Sequence, residues 1–405
     1  MSLHSESGVK PVNTTQAGRG AAPFVLKRLL AFIETGRLTV ITPKGRRIAH
    51  AGPKPGPEAT IEFHSWRPVR RLLLGGDIGF AESYFDGEWS TPDIAALIEL
   101  AALNVEQLDA VIGGSLPFRL FSRLRHKLRA NTKAGSRKNI SFHYDLGNEF
   151  YQLWLDRGMT YSSALYGPGD TLEAAQDGKL RRIVELLALQ GEERILEIGC
   201  GWGTLAKTLA LENAHVTGLT LSAEQLAFAK ASAAEDNLQD RVDLRLMDYR
   251  DQEGQFDRIV SIEMIEAVGE QYWPVYFETL RKRLKPGGRA VIQAITIHED
   301  RFEGYRRGTD FIQRYVFPGG MLMTDKIIDR HAREAGLELT EVQMFGDSYA
   351  LTLAEWRRRF LANWPQIEKL GFNARFRRLW EYYLGYCEGG FRAGTIDVGL
   401  FVLKG

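Results

Sequence analysis

Cysteine is almost missing from the 405-residue chain: Cys200 and Cys387 are the only two, far apart and outside any Cys-x-x-Cys spacing. This argues against a disulfide framework and a structural zinc site, and a reducing compartment fits best. An excess of charge of either sign is missing too. The 52 lysines and arginines face 51 acids, a formal net charge of +1, so the chain is not a globally basic nucleic-acid binder. Long apolar runs are also lacking. The best window, around Ala95 to Gly114, is interrupted by Glu99, Glu106 and Asp109, so no membrane span is expected. The first two dozen residues are small and polar, lack the apolar core of a secretory signal, and read as a disordered tail over residues 1–22. The rest is ordinary globular material: 44% hydrophobic and 25% charged residues support a folded core. At roughly one domain per 150 residues, two or three domains are expected.

Three zones follow the tail. Residues 23–115 read as a small α+β unit, with a helix at Val25 to Thr35, strands at Gly36 to Ile41 and Ala59 to Phe63, and a helix at Arg67 to Leu74. A turn at Gly75-Gly76 then leads into a short aromatic helix. Residues 116–139 form a basic amphipathic linker. Eight lysines and arginines lie from Arg119 to Lys138 without an acid between them, interleaved with Leu120, Phe121, Leu124 and Leu128. Such a stretch suits the surface of an anionic bilayer, where each basic residue gains about 1 kcal/mol. Residues 140–405 alternate apolar runs with helical patterns. Five strand candidates, Arg194 to Cys200, His215 to Leu221, Val242 to Met247, Phe256 to Ile262 and Arg289 to Ile295, imply a doubly wound parallel sheet. Two late strands, near Leu339 to Phe345 and Thr395 to Leu403, complete it, and the intervening Thr352 to Cys387 reads as helical.

The first strand of that array runs into Glu197-x-Gly199-x-Gly201-x-Gly203. Glycine there lets the backbone approach a ligand closely. The dinucleotide fingerprint G-x-G-x-x-G is not met, because Thr204 stands where its third glycine belongs, so a pyrophosphate is not the expected ligand. An acid ahead of the glycines suits a ligand carrying an amino group, which points to S-adenosylmethionine. Polar residues collect at the ends of the next strands, Thr220, Leu221 and Gln225 after the second and Asp248 and Tyr249 after the third, where ligands of such sheets bind. Tyr249 is a candidate for stacking on adenine. The plainer reading of Asp248 is a helix cap.

Several further segments, in order, carry a resemblance: Ser141-Phe142-His143-Tyr144-Asp145-Leu146-Gly147-Asn148, Met159-Thr160-Tyr161-Ser162, Glu263-Met264-Ile265-Glu266-Ala267-Val268-Gly269 and Tyr315-Val316-Phe317-Pro318-Gly319-Gly320. With the glycine turn and Thr217 to Gln225, they resemble the cyclopropane-fatty-acyl-phospholipid synthase family, which includes the mycolic acid cyclopropane synthases. The resemblance implies an α/β, class I S-adenosylmethionine methyltransferase fold with a helical insertion covering the substrate, preceded by a small α+β lipid-handling domain. It implies methyl transfer to the cis double bond of an acyl chain in a phospholipid, followed by proton loss that closes a cyclopropane. Tyr161, Ser162, Glu197, Gly199, Gly201, Thr220, Leu221, Gln225, Asp248 and Tyr249 are then cofactor contacts. Phe142, Tyr144, Tyr305, Tyr315 and Phe317 are candidates to stabilise the cation.

The family also holds a bicarbonate ion as base. Glu266, the backbone of Ile295 and Tyr349 fall at its ligand positions, whereas Ser163 stands for the usual Cys and Gln293 for the usual His. A histidine can gain charge and relay a proton, whereas glutamine is permanently neutral. Cyclopropane formation is the expected product, with a methyl-branched unsaturated chain as the alternative if Ser163 and Gln293 weaken the anion site. A small-molecule O- or N-methyltransferase and a non-catalytic lipid-binding homologue are the remaining alternatives. His298 is read as a solvated loop residue. The expected partner is an unsaturated phospholipid in an anionic membrane, touched through Arg119 to Lys138, with no nucleic acid and no metal; a homodimer stays open. The expected location is the cytoplasm, peripheral on the inner face of the membrane.

Overall fold

The computed structural model describes residues 21–106 and 146–405, with side chains from Val25 onward. The basic linker, Phe142 and Tyr144 lie outside the described residues. So does the expected tail, except that Ala21 and Ala22 open a helix.

The N-terminal unit contains helix α1 (Ala21–Leu30), strands β1 (Thr35–Ile41), β2 (Arg47–Ala51) and β3 (Lys54–Phe63), helix α2 (Arg67–Phe85), strand β4 (Trp89–Ser90) and helix α3 (Ile94–Leu103). The sheet order is β2-β1-β3-β4, with β1 and β3 parallel. The Gly75-Gly76 turn expected between two helices is a kink inside α2, where Gly76 takes φ 63°, ψ −152°. Asp93 caps α3, its carboxylate accepting from Ala95 N and Ala96 N, a contact worth about 1 kcal/mol. Asn104 closes the other end, accepting from Glu34 N and Thr35 N at 2.8 and 2.9 Å and so tying α3 to the start of β1.

The second unit is a seven-stranded sheet in the order β10-β11-β9-β8-β5-β6-β7. Its strands are β5 (Arg194–Ile198), β6 (His215–Thr220), β7 (Val242–Leu246), β8 (Phe256–Ile262), β9 (Leu284–Ile297), β10 (Glu338–Met344) and β11 (Ile396–Lys404). β5 to β9 are parallel, as the helix-separated spacing predicts, while β11 enters antiparallel between β9 and β10. β5 is buried from Ile195 to Ile198, and Glu197 is the one polar residue of that buried run. The order reverses beside β5, so the crevice for a ligand opens at its carboxyl end.

The helical stretch near the end of the sequence resolves into three helices, Gly346–Ala362, Trp364–Lys369 and Ala374–Arg392. The last packs against α3. A Cβ on Gly385 would lie 2.1 Å from Ile94 Cγ2 and one on Gly389 2.8 Å from the Ala95 carbonyl oxygen, so glycine is what lets the two helices touch. Polar ties hold α2 as well: Arg314 and Tyr315 both donate to Glu82 on α2, and Arg375 of the last helix donates to Asp86 at the end of α2. No helix among the described residues is long and apolar enough to cross a membrane.

Candidate active site

One cavity, of about 1060 Å³, runs from the carboxyl ends of β5, β6 and β8 into the N-terminal unit. The glycine turn forms its floor. Gly199, Gly201 and Gly203 all have positive φ, 85°, 51° and 86°, a region costly for side chains. Each has a further role. A Cβ on Gly203 would sit 2.8 Å from the Ala229 Cβ, so this glycine lets two helices close, whereas one on Gly201 would meet nothing within 4 Å and faces open space.

Glu197 stands beneath that turn, 3% exposed and lining the cavity. Its Oε2 has no hydrogen-bond partner among the described residues, and burial alone pushes its pKa up to about 8. An unpartnered buried carboxylate is expensive unless a cation completes it. The ammonium and sulfonium of S-adenosylmethionine answer that need, and the open face at Gly201 admits its backbone-hugging approach. Thr220 and Gln225 are bonded to each other, Thr220 Oγ1 donating to Gln225 Oε1 at 2.9 Å, and with Leu221, Met247 and Tyr249 they line the same end. The Tyr249 hydroxyl is buried and has no hydrogen-bond partner among the described residues. Asp248 behaves differently from a free ribose ligand: Arg250 donates to both of its oxygens and its Oδ1 caps the short helical turn Tyr249–Asp251. The cap reading holds there, and the guanidinium neutralises the carboxylate.

Tyr161 and Ser162 reach the cavity from the loop after Met159. The Tyr161 hydroxyl is 2.7 Å from that of Tyr383. The Ser162 hydroxyl accepts from Lys179 Nζ at 2.7 Å. Lys179 is fully buried, and burial lowers its pKa to about 8 against the pull of Glu263 and Asp156. Tyr305 and Phe317 line the cavity, whereas Tyr315 does not; its ring packs on Phe85 and Phe311 and its hydroxyl is spent on Glu82. His298 is 62% exposed at the N-terminus of the helix Glu299–Arg307, in keeping with a solvated position.

The expected anion ligands do not converge on open space. The Ser163 N–H donates to Glu263 Oε1 at 2.8 Å, Gln293 Nε2 donates to the same oxygen at 2.7 Å, and the Tyr349 hydroxyl donates to Glu263 Oε2 at 2.6 Å. The donors assigned to a free bicarbonate thus hold a carboxylate of the chain itself, so a bicarbonate does not fit the residues present. The Ser163 hydroxyl turns away to the Ala164 carbonyl. Glu266 faces a different partner, accepting from Ile295 N at 2.6 Å while its Oε2 stays unpartnered. Burial, with the Glu263 charge second, raises Glu266 to about 8. Glu263 is raised by burial too, an effect opposed by Tyr349, Ser163, Lys179 and Gln293. Its backbone carries φ 45°, a strained setting for glutamate that functional sites commonly retain.

Glu263 and Lys179 are the residues that motif reading missed. Glu263 lies inside a quoted segment, three positions before Glu266. Lys179 falls between Ala175 and Ile183 on the buried stripe of the helix Leu172–Leu187, and a lysine at a core position of a helical pattern was the available signal.

Comparison with known proteins gives the family. Residues 131–401 match the family described as mycolic acid cyclopropane synthetase. The chain is 39% identical over 341 residues to the tuberculostearic acid methyltransferase UfaA1 of Mycobacterium tuberculosis, covering 82% of this chain and 79% of that protein. It is 36% identical over 339 residues to the cyclopropane-fatty-acyl-phospholipid synthase of Escherichia coli, covering 81% and 83%. Among solved structures, the cyclopropane synthase MmaA2 of Mycobacterium tuberculosis superposes with a TM-score of 0.62 at 29% identity, over 66% of this chain and 98% of that one.

Proposed function

That the chain belongs to the mycolic acid cyclopropane synthetase family, and is an S-adenosylmethionine-dependent enzyme modifying lipid acyl chains on the class I methyltransferase fold, is the premise from which we infer its reaction. The reaction is methylation of the cis double bond of an unsaturated phospholipid acyl chain, with release of a methyl-branched unsaturated chain in preference to a cyclopropane. The observation that carries this reading is the carboxylate of Glu263 lodged among Ser163, Gln293 and Tyr349.

S-adenosylmethionine, held by the glycine turn, Glu197, Thr220, Gln225 and Tyr249, supplies an electrophilic methyl group. The protein's part is to hold the alkene in place and to manage the charge that develops on it. Apolar walls from Ile262, Met264 and Leu353 exclude water, which would otherwise trap the cation. Tyr161, Tyr383 and Phe317 present aromatic groups to the same space, and aromatic faces attract a cation by about 0.5 to 2 kcal/mol. As one alkene carbon gains the methyl, positive charge appears on its neighbour. Glu263, anionic and close by, stabilises it and then accepts a proton from a carbon beside the cation, the C–H bonding pair becoming the π bond of the branched alkene.

The proton chosen decides the product. A free anion can follow the transferred methyl, whereas Glu263 is fixed at both oxygens by three donors. A carboxylate fixed in this way takes the proton within its reach rather than one on the transferred methyl, and that loss gives an unstrained alkene instead of a strained ring. The resemblance to a cyclopropane synthase and to a fatty-acid methyltransferase at nearly equal identity supports either product, so Glu263 is what separates them. Membrane contact through Arg119 to Lys138 and a cytoplasmic, peripheral location complete the proposal, supported by the basic, acid-free sequence of that stretch.

The test is mass spectrometry of membrane fatty acids from a host expressing the protein, before and after mild hydrogenation. An acyl chain that gains one CH2 and then takes up hydrogen is the expected product. A chain that gains CH2 and resists hydrogenation is a cyclopropane and overturns the product assignment; no gain overturns the reaction.

A further inference from the structure

The lining of the cavity changes character along its length. At about 1060 Å³ the cavity lies just above the range of roughly 300 to 1,000 Å³ usual for a small-molecule site. One arm ends at Glu197 and Glu263 on the large sheet. The other enters the N-terminal unit between β1, β3, α1 and α3, where Leu29, Leu38, Ile61, Phe63 and Leu97 line it. That second arm is apolar: Ile61, Phe63 and Leu97 are 3%, 5% and 7% exposed, and Leu29 and Leu38 are half-buried.

Between the arms the lining is charged. His298, Asp300, Arg301 and Arg307, together with Glu106 beyond the end of α3, all border the cavity. The side chains of His298, Asp300 and Arg307 are 62%, 87% and 69% exposed, so the cavity meets solvent here. This segment follows directly on β9, which carries Gln293 and Ile295. It is also fastened to the N-terminal unit, because Arg301 Nη2 donates to the Ala102 carbonyl at 2.8 Å. A polar, wet junction between an apolar arm and the catalytic arm has the layout of a lipid with two tails and one head group.

Resting on the acyl-chain reading of the catalytic arm, we propose that the N-terminal arm is a binding site for the second, non-reacting acyl chain of a diacyl lipid, with the head group at the charged junction. A single long chain threaded through both arms would have to lay methylenes across the charged junction, which disfavours it. The N-terminal unit then selects substrates by tail number: a lipid with two tails gains burial that a single-tailed lipid cannot.

Two measurements on the full chain test this. In mixed micelles, the wild type is given a diacyl phospholipid with one monounsaturated and one saturated chain, and the lysophospholipid carrying the same monounsaturated chain. Leu38→Trp narrows the N-terminal arm and is expected to lower the ratio of kcat/KM for diacyl over lyso substrate about tenfold, the equivalent of excluding two methylenes. An unchanged ratio overturns the proposal. Equal losses on both substrates, with cofactor binding and thermal stability retained, overturn it in favour of the arm holding the end of the reacting chain. Should Leu38→Trp not fold, the wild type answers alone. A diacyl lipid bearing a diazirine near the end of its saturated chain is expected to crosslink to peptides within Leu26–Phe63, and crosslinks confined to residues 146–405 overturn the proposal. Methylation of neither lipid by the wild type is a separate failure: it removes the proposed function and this inference with it.

Discussion

Replacing Glu263 by Gln tests the assignment of the base with the least disturbance. The amide oxygen can still accept from Ser163 N and Gln293 Nε2, which converge on Glu263 Oε1 at 2.8 and 2.7 Å. The amide nitrogen then faces Tyr349, whose 2.6 Å bond to Oε2 loses its acceptor. An unsatisfied buried hydroxyl costs about 1 to 3 kcal/mol, partly offset because a buried charge disappears as well. Stability should therefore fall only slightly. Chemistry should fall far more, because a positioned general base contributes about 10² to 10⁴ in rate, or roughly 3 to 5 kcal/mol of barrier. Single-turnover methylation of monounsaturated phospholipid vesicles reads the chemical step, while calorimetry reads S-adenosylmethionine affinity, which should hold within about threefold because Glu197 and the glycine turn are untouched. A single-turnover rate within about threefold of wild type would refute the role given to Glu263. So would stimulation of the wild type by added bicarbonate, which has no donors left to bind.

Other consequences follow from the same contacts. Glu266 is raised to about 8 and is therefore mostly protonated at pH 7, so Glu266→Gln keeps an acceptor for Ile295 N and should leave turnover and cofactor binding near wild type; loss of product with cofactor affinity retained would give Glu266 a charged role in the reaction. Glu197 is raised to about 8 in the free protein and must ionise to pair with a cation, so S-adenosylmethionine binding should release a proton at pH 7 and tighten as pH rises toward 8. Calorimetry in buffers of different ionisation enthalpy reads that proton, and affinity flat from pH 6.5 to 8.5 would contradict the pairing. Opening the carboxylate's place with Glu263→Gly and supplying Gln293→His should create a bicarbonate-dependent activity with a larger hydrogenation-resistant fraction; a bicarbonate-independent variant would argue against the exchange. Gly385→Leu forces a side chain where a Cβ alone meets Ile94 at 2.1 Å, and should cost at least about 1 to 3 kcal/mol, read as a lower Tm and faster proteolysis of α3.

The doubly wound sheet was legible because its parallel strands are short segments rich in Val, Ile and Leu and are separated by helical patterns. Strands β2 and β4 were not. β2, Arg47–Ala51, alternates exposed and half-buried residues with none fully buried, and β4 has only two residues, so neither leaves a hydrophobic signature. The cofactor end was readable since Glu197, Gly199, Gly201 and Gly203 are neighbours in sequence and their chemistry is local. The base was not, since Glu263 acquires its meaning only from Ser163, Gln293 and Tyr349, which lie 100, 30 and 86 positions away. The departures at Ser163 and Gln293 were visible and pointed to an altered anion site; that a glutamate of the chain fills it is a tertiary fact.

The antiparallel entry of β11 between β9 and β10 has a consequence for biosynthesis. β9 carries Gln293 and Ile295, yet one of its edges stays unpaired until residues 396–404 have left the ribosome. The N-terminal unit waits as well, for its packing surface is the helix Ala374–Arg392, translated nearly 300 residues after α3 begins. Such long-range pairing makes folding slow. A nascent chain that already displays an apolar sheet edge and an open lipid arm is a natural client for a chaperone, and a truncation that removes only β11 should yield an insoluble protein rather than a weakened enzyme.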